Sequence, residues 1–450
     1  MWIVNQTASL FEIATKSTKR HKKNVGDFTR STDSVRSSIA SDPCPFSWLF
    51  VFFVAITFSR TLRNRYAIMN RLKIRAIGLV TLLIGQSTML AADPEVPSFH
   101  AASGLFNSAK NNLGLRRIRG KHVMLYRAEP NGYKFCHHPN FAVFGDKLYL
   151  MWSNGLVNED FPGQRILYCN SSDGAKWTKP IQLTDHKQGK GICVAAGFHV
   201  SDGTIIAFYT ATGGTNFHPD TALTARTSLD GTSWSEPQRI TDGFFIEGPR
   251  RLANGRLLVC GEHVGEKRKS NRMRLLYTEQ ADGLSGWKEA RIKLGDLKVF
   301  GYTEPNWFQR DDGRVVMAFR NYSGHLFSST STDHGDEWTA PVETNFPDTT
   351  ARFCMGRLPD GTIYLINNSL PKQFDRSLLT IAISKDGKTF DLAFIVRGEP
   401  TKMRYQGKSK LDGWQYPHAI VWKGCLHVAY SINKEDVGLT RIDLDDLRGD

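Results

Sequence analysis

A short phrase is repeated along this chain, and its spacing constrains the fold more than any other feature. The segment Ser171–Trp177 reads Ser-Ser-Asp-Gly-Ala-Lys-Trp; similar segments follow at Ser228–Trp234 and, one residue longer, at Ser331–Trp338. Two degenerate copies end at Trp287 and Phe390. The aspartates of the five copies, at positions 173, 230, 282, 333 and 386, are separated by 57, 52, 51 and 53 residues. A period near fifty residues indicates one supersecondary unit copied in series.

Each copy predicts a tight turn at the end of a β-strand. In the turn, Asp accepts hydrogen bonds from nearby backbone amides, and Gly adopts the positive φ that other residues avoid. The Trp is expected to fold back over the turn as an apolar plug. Three of the Trp are followed, three residues later, by Pro180, Pro237 and Pro341. Proline interrupts a hydrogen-bonded ladder, so an outer strand should begin or end there.

The upstream half of the unit also repeats and gives the number of units. Six segments run from a strand start to a hairpin turn, each followed by an apolar run: 139–145, 197–203, 249–255, 305–313, 354–361 and 417–424. The sixth unit lacks the Asp-Gly-Trp turn, whereas the strand-like segment 121–126 has no unit of its own. We therefore predict an all-β fold, a six-bladed β-propeller of four-stranded blades. Segment 121–126 would complete the sixth blade and close the ring.

The first 92 residues differ from the rest. Met69 opens a stretch with three basic residues, followed by the apolar run 76–84 and by small residues at 91 and 92. This pattern is typical of a secretory signal peptide, which we expect at 69–92. Residues 1–68 would then be a non-native extension or disordered, with Met69 rather than Met1 as the true start. The competing interpretation, a membrane anchor at 46–58, is too short for the roughly twenty residues that span a bilayer.

The remaining boundaries follow from the repeats. We expect a linker at 93–114 and the propeller domain at 115–450. The formal charge of the chain is +14, but residues 1–92 carry thirteen Lys/Arg and four Asp/Glu, a net +9, which leaves +5 for the rest. Such mild basicity does not imply a nucleic-acid partner, and it is compatible with an anionic ligand. We expect a secreted or periplasmic protein without stable membrane insertion once the signal is removed.

The six cysteines after residue 92 show no metal-ligand spacing. Most lie in apolar strand runs, where a free cysteine behaves as a small hydrophobic residue. We therefore predict no zinc site, no cofactor and at most an incidental disulfide. The oligomeric state stays open.

Aligning the six units identifies the residues at the propeller axis. The inner strand of each blade starts near this axis, so the residues at the six strand starts converge. Where an inert core would have apolar residues, they include His137, His138, Glu247, Glu304, Arg352 and Tyr416. Polar groups gathered at an axis need water or a ligand to satisfy them. If no ligand binds there, the axis would be a water-filled channel without function.

The Asp-Gly-Trp turns resemble the Asp-boxes of sialidases, and this resemblance covers most of residues 120–446. The order of the other residues is also similar to that superfamily. Glu304, followed by a proline, is sixteen residues before Arg320, and a complete box comes next at 331–338. In the family this Glu partners the nucleophile and this Arg holds the substrate carboxylate.

Two later segments extend the resemblance. The segment 368–371 leads to Arg376 and is similar to the family segment that carries another carboxylate-binding Arg. The segment 414–417, Trp-Gln-Tyr-Pro, resembles the site of the nucleophilic tyrosine, which would be Tyr416.

The chemistry that the resemblance implies agrees with these residue types. Arginine forks bind a sialic acid carboxylate bidentately. A neutral Tyr416 is not repelled by that carboxylate, as a carboxylate nucleophile would be. Phenol has a pKa near 10 and needs a base, which Glu304 would provide. We choose Asp160, on the loop after the second strand of the first blade, as the general acid/base, with Glu159 as the second choice. Predicted substrate-binding residues are Arg320, Arg376, Arg352, His137 and Glu247.

The match fails at one position. Family members carry an arginine just before the proline of the first blade, and here His137 stands in its place. A neutral histidine does not clamp a carboxylate, so Lys134, Arg127 and Arg352 are candidates to supply the missing charge. We predict an exported, sialidase-like, exo-acting, retaining glycoside hydrolase that cleaves terminal sialic acid or another acidic sugar from glycans. A neutral sugar also stays open. Two further hypotheses are a non-catalytic glycan-binding Asp-box propeller and a scaffold propeller without a sugar site.

Overall fold

The computed structural model describes residues 96–184, 191–214, 217–295 and 299–449. The predicted signal peptide and the extension before it lie outside these residues. Six sheets, each of at least four strands, follow one another along the chain, and successive inner strands pack together as the blades of a β-propeller. The predicted six-bladed, all-β fold is therefore confirmed.

The strands are numbered in chain order. Two precede the blades: β1 (His100–Ala101) and β2 (Lys121–Tyr126). Blade 1 contains β3 (Phe135–Phe144), β4 (Lys147–Gly155), β5 (Arg165–Ser171) and β6 (Ile181–Gln182). Blade 2 contains β7 (Ile192–Ser201), β8 (Thr204–Thr212), β9 (Ala222–Ser228) and β10 (Gln238–Asp242). Blade 3 contains β11 (Phe244–Phe245), β12 (Arg250–Arg251), β13 (Leu257–Glu262), β14 (Met273–Thr278) and β15 (Lys288–Glu289).

The second half of the ring follows the same plan. Blade 4 contains β16 (Asn306–Gln309), β17 (Val315–Phe319), β18 (His325–Ser331) and β19 (Val342–Pro347). Blade 5 contains β20 (Cys354–Arg357), β21 (Ile363–Asn367), β22 (Leu379–Ser384) and β24 (Leu392–Arg397), with β23 (Thr389–Phe390) beside it. Blade 6 contains β25 (Trp414–Trp422), β26 (Cys425–Ile432) and β27 (Asp436–Asp443). The helical elements are short: 3₁₀ turns at Asn111–Gly114 and Leu444–Arg448, and an α-helix at Lys267–Ser270.

Blade 6 is completed by a strand from the opposite end of the propeller sequence. Strand β2 pairs antiparallel with β27, so that Lys121 lies opposite Arg441 and Val123 opposite Leu439. The sheet order β2-β27-β26-β25 thus gives the last blade its fourth strand. The prediction for segment 121–126 is confirmed.

The repeated turns are held by their aspartates. Asp230 Oδ1 accepts hydrogen bonds from the backbone N–H groups of Thr232 and Ser233, both at 2.7 Å. The aspartates at 173, 333 and 386 each accept two equivalent backbone bonds. Gly231 has a φ of +71°, and a Cβ there would collide with the Tyr149 hydroxyl, so only glycine fits. The outer strands β6, β10 and β19 begin directly after the three prolines that follow the boxes.

The hydrophobic core lies between neighbouring blades. Alternate side chains of each strand point to one of two neighbours, and buried residues of β22, β26 and their surroundings form one continuous cluster. Part of the segment predicted as a linker also packs on the propeller. Phe99 is fully buried against Phe346 and Phe390, and β1 pairs in parallel with β23. The apolar Phe99 explains this contact, because its burial removes a large aromatic surface from water.

The cysteines in the described part of the chain are packing residues of the strands. Cys136, Cys169, Cys193, Cys260, Cys354 and Cys425 are all unpaired, and the first five are buried. Burial raises the pKa of the Cys193 thiol to about 12, which makes it unreactive.

The helical elements of the described residues are each at most five residues long. Within these residues, no helix has the length and hydropathy needed to cross a bilayer.

Candidate active site

A cavity of about 900 Å³ opens where the inner strands of several blades begin. Its polar lining contains both signs of charge and a tyrosine. These residues are His138, Glu159, Asp160, Glu304, Arg320, Arg376, Lys408, Ser409, Tyr416 and Lys434. Five of the eight predicted site residues are therefore in one cavity: Asp160, Glu304, Arg320, Arg376 and Tyr416. Their roles in catalysis or binding stay predictions.

Tyr416, Glu304 and Arg320 form the centre of the site. The Tyr416 hydroxyl donates to Glu304 Oε1 at 3.4 Å, and Arg320 Nη1 donates to the Tyr416 oxygen at 2.9 Å. The same Nη1 also forms an ion pair with Glu304 Oε2. Arg320 directly follows β17, and its backbone N–H donates to Thr303 O at 2.9 Å, which brings it beside Glu304.

Tyr416 is in a conformation and environment that local structure alone would not favour. It is 3% exposed and has a φ of +58°, a region that bulky residues rarely adopt. Burial raises the pKa of its hydroxyl well above 10; Arg320 opposes this shift and Glu304 adds to it. The phenol is consequently protonated at neutral pH, and a nearby carboxylate is needed to remove its proton.

Arg376 contributes a second guanidinium at the same tyrosine. Its Nη1 donates to the side-chain oxygen of Gln415, and its Cζ lies 5.1 Å from the centre of the Tyr416 ring. The backbone is fixed because the Trp414 N–H donates to Arg376 O at 2.8 Å. Both Arg320 and Arg376 are buried, and their Nε atoms have no hydrogen-bond partner among the described residues. Each guanidinium brings a positive charge to the cavity wall.

Asp160 and Glu159 lie side by side on the loop between β4 and β5. Asp160 has a φ of +48°, and Gln164 holds it through two hydrogen bonds, one to its backbone N–H at 3.0 Å and one to Oδ1 at 3.1 Å. Glu159 instead contacts Lys434 Nζ with both oxygens, at 2.7 and 2.6 Å. Since Glu159 already serves Lys434, Asp160 is the better candidate for proton transfer.

His137 does not line the cavity, in contrast to the prediction that it binds substrate. It is fully buried, and its ring centre lies 3.7 Å from that of Tyr416. Burial lowers its pKa well below the ordinary value, and the neighbouring charge of Lys434 lowers it further. The ring packs against Tyr416, and its Nε2 lies 3.0 Å from Glu159 Oε1. His138 beside it does line the cavity.

Arg352 and Glu247 also lie outside this cavity, and whether they contact substrate stays a prediction. They form a buried ion pair at the axis, with side chains 2% and 6% exposed. Burial alone would raise the pKa of Glu247, but Arg352 outweighs it and lowers the pKa to about 2. Glu247 lines a separate cavity of about 200 Å³ together with His418. The Nη1 of Arg352 has no hydrogen-bond partner among the described residues, so the pair leaves one of its donors unsatisfied.

Arg127 and Lys134 do not supply the charge of the missing arginine either. Arg127 is exposed, and Lys134 Nζ lies 5.5 Å from the ring centre of Tyr405. Neither residue lines the cavity. Two lysines line the cavity, the exposed Lys408 and the buried Lys434 in the turn between β26 and β27. The sequence position of Lys434 gives no indication of this, because the sixth unit lacks a box to mark it.

The sequence pattern also gives no sign of an aromatic rim. Phe161, Tyr302 and Phe374 line the cavity and are 53%, 43% and 44% exposed. Two of them are next or close to predicted site residues, since Phe161 follows Asp160 and Tyr302 precedes Glu304 by two positions. Exposed aromatic faces beside polar groups are typical of sites that bind sugars or other partly apolar ligands.

Strained backbone is concentrated around the cavity. Of the fifteen non-glycine residues described with a positive φ, eight line it: His138, Asp160, Phe217, Glu304, Phe374, Ser409, Tyr416 and Lys434. Such conformations cost energy and persist where the surrounding structure imposes them, most often at functional sites. In the described part of the chain, no three His, Cys, Asp or Glu side chains are grouped as metal ligands.

Comparison with known proteins agrees with this fold. The BNR repeat-like domain family matches residues 145–428. No curated protein sequence matches the chain. Among solved structures, a sialidase is 22% identical with a TM-score of 0.57, covering 78% of this chain and 35% of its own. The chain thus spans about a third of the length of that sialidase.

Two further structures resemble the chain over nearly their whole length. A protein of unknown function from Dyadobacter fermentans is 18% identical with a TM-score of 0.58, covering 72% of this chain and 99% of its own. The intramolecular trans-sialidase from Ruminococcus gnavus, in complex with oseltamivir carboxylate, is 14% identical with a TM-score of 0.54, covering 73% and 98%. At these identities the likeness establishes a sialidase-like propeller fold.

Proposed function

This chain belongs to the BNR repeat-like domain family, and on that basis we propose that it is a sialidase-like glycoside hydrolase. The observation that carries the proposal is the cluster of Tyr416, Glu304 and Arg320, in which one arginine contacts both the phenol and the carboxylate. A phenol next to a base is the arrangement that an uncharged nucleophile requires. The acidic-sugar substrate is inferred from the two guanidinium groups beside the phenol.

The proposed reaction has two steps. Tyr416 Oη attacks the anomeric carbon while its proton passes to Glu304 Oε1, and Asp160 protonates the departing glycosidic oxygen. The resulting glycosyl-tyrosine is then hydrolysed: Asp160 takes a proton from water, the water oxygen bonds to the anomeric carbon, and Glu304 returns the proton to Tyr416. Two displacements at one carbon retain its configuration. Arg376 and Arg320 would hold the sugar carboxylate.

The substrate we propose is a terminal sialic acid or another acidic sugar on a glycan. We also propose that the protein acts outside the cytoplasm, either secreted or in the periplasm, because residues 69–92 have the pattern of a signal peptide. The second candidate function is a non-catalytic glycan-binding propeller, which the replacement of the first-blade arginine with His137 favours.

Hydrolysis of fluorogenic glycosides by the purified full-length protein tests the proposal. We expect release from a sialoside or a glucuronide, with Tyr416→Phe lowering kcat by on the order of 10³-fold or more. Tyr405→Phe, which removes a hydroxyl outside the cavity, is the matched control and should retain activity. Absence of hydrolysis of every acidic glycoside by the wild-type protein would rule out the enzyme, and glycan binding without turnover would support the second candidate.

A further inference from the structure

Three buried cations line the cavity, and their partners differ. Arg320 is paired with the Glu304 carboxylate, whereas Arg376 donates to the uncharged side chain of Gln415. Lys434 is paired with Glu159. Only 2% of Lys434 is exposed, and a buried lysine is costly unless its charge is paired, as this one is with Glu159.

The backbone of Lys434 lies beside the strand start where the family resemblance leads one to expect an arginine. Its carbonyl oxygen accepts a hydrogen bond from the Cys136 N–H at 3.0 Å, and Cys136 immediately precedes His137. The lysine therefore reaches from the last blade to the start of the inner strand of the first. His137, at the expected position, is buried and lies outside the cavity.

Lys434 and Arg376 flank the proposed nucleophile. Lys434 Nζ and Arg376 Cζ are each 5.1 Å from the centre of the Tyr416 ring. An ammonium has three N–H donors, and among the described residues only the two Glu159 oxygens accept from it. One donor of Lys434 is thus left for an anion beside Tyr416, and Arg376, which is hydrogen-bonded to the uncharged Gln415, adds a second positive charge there.

We propose that Lys434 replaces the missing arginine and binds the substrate carboxylate together with Arg376. This inference rests on the proposed function, since it names the group that recognises the acidic sugar. Glu159, whose side chain is 18% exposed, acts as the internal counter-ion of Lys434 and competes with the substrate carboxylate for it. Lys434 is therefore a specificity-determining residue that selects acidic over neutral sugars.

Calorimetric titration of the full-length protein with N-acetylneuraminic acid and with its methyl ester tests the assignment. The ester removes the negative charge and keeps the sugar. We expect Lys434→Met to weaken binding of the acid about 10- to 100-fold while leaving the ester nearly unchanged, because a charge-assisted hydrogen bond is lost. Lys434→Arg should restore binding of the acid to within about threefold.

Glu159→Gln separates substrate binding from a purely structural ion pair. If Lys434 binds the carboxylate, removing the competing charge of Glu159 strengthens binding of the acid. If the pair only maintains the loop, Glu159→Gln and Lys434→Met both weaken binding of the acid and binding of the ester to the same extent. That result would overturn the inference. No measurable binding of the acid by the wild-type protein would overturn it as well.

A matched control is available on the same blade. Lys423 is also a lysine with positive φ in a hairpin turn, and its Nζ lies 4.3 Å from the Trp422 ring, away from the cavity. Lys423→Met should leave binding of both sugars unchanged. Because binding is measured without turnover, a protein that binds the acid but hydrolyses no sialoside would contradict the proposed function and still support this assignment.

Discussion

The box turns and the axial cavity differ in how they satisfy their polar groups. In four blades, one aspartate oxygen accepts two backbone N–H bonds in the same geometry. Around the cavity the backbone is strained at eight positions, and two guanidinium Nε atoms have no partner among the described residues. The repeated box turns thus stabilise the scaffold. The strained backbone and the unsatisfied donors lie around the cavity, where a ligand could bind.

The sharpest test of this contrast is to remove one charge from each region. Glu304→Gln abolishes the proposed base for Tyr416, so we expect kcat to fall by about 10²- to 10⁴-fold. Glu343→Gln makes the same change on the exposed face of β19 and should leave kcat within about twofold, on the usual scale of surface substitutions. Steady-state kinetics on the fluorogenic glycoside, with thermal unfolding as a check of folding, gives the comparison. Equal losses in the two variants would remove the distinction between the regions.

Substitutions in complete and in degenerate boxes should lower the free energy of unfolding by different amounts. Neither should affect the reaction. Asp333 accepts backbone bonds from Asp336 and Glu337, whereas Asp282 accepts one, from Leu284 at 3.0 Å. We expect Asp333→Ala to lower the free energy of unfolding by about 1–2 kcal/mol, because water replaces only part of these bonds at an exposed turn.

Asp282→Ala should lower the free energy of unfolding by less than about 1 kcal/mol, because only one backbone hydrogen bond is lost. Urea unfolding of both variants measures the difference, and kcat should stay at the wild-type value below the unfolding transition. If the two variants lose the same stability, the number of backbone bonds does not determine what a box contributes.

The last expected effect is a pH dependence confined to the cavity. Burial lowers the pKa of Lys434 to about 8; Glu159 opposes the shift. The charged and titratable groups that face the Lys434 side chain are Glu159, Arg320, Arg376, Tyr416 and His137. The lysine is charged below this pKa and loses its proton as the pH rises through it, so binding of N-acetylneuraminic acid should weaken about tenfold between about pH 7 and 9.

The arginine variant provides the control for this pH dependence. An arginine keeps its charge over the whole range, so Lys434→Arg should bind the acid equally well at about pH 7 and pH 9. Calorimetry at the two pH values, with the methyl ester as the neutral probe, is the measurement. A wild-type affinity that does not change with pH, or an arginine variant that weakens in the same way, would place the titrating group elsewhere.

The sequence predicts the scaffold well because its signals are local and repeated. The box spacing identifies the blades, and the unmatched strand at 121–126 identifies the strand that completes blade 6. Glu304 and Tyr416 can be found because they stand at the strand starts of their units, whereas Arg320 and Arg376 are identified by the family resemblance. Arg352 and Glu247 do lie at the axis, as the alignment of units predicts. A position at a strand start, however, does not tell whether a side chain faces the cavity or forms an ion pair outside it.

Lys434 escapes prediction for a physical reason. Its contact with Glu159 joins residues 275 positions apart, and its hairpin has no box that would place it in the alignment of units. The exposed aromatic rim escapes prediction because Phe161, Tyr302 and Phe374 lie on loops, where sequence periodicity gives no orientation. Both features depend on which loops meet over the axis, and only the folded ring determines that.

The pairing of strand β2 with β27 constrains the order in which the protein can fold. His122 and Thr440 are hydrogen-bonded although they are 318 residues apart, so this pairing forms only after all six units have been synthesised. The Lys434–Glu159 contact joins blade 6 to blade 1 and must wait for the same event. Assembly of the buried cations at the cavity therefore coincides with one of the slowest folding steps, since contacts this distant in sequence form late. A chain stalled before that step would have most of its secondary structure and an incomplete site, so full ligand affinity would report that folding has finished.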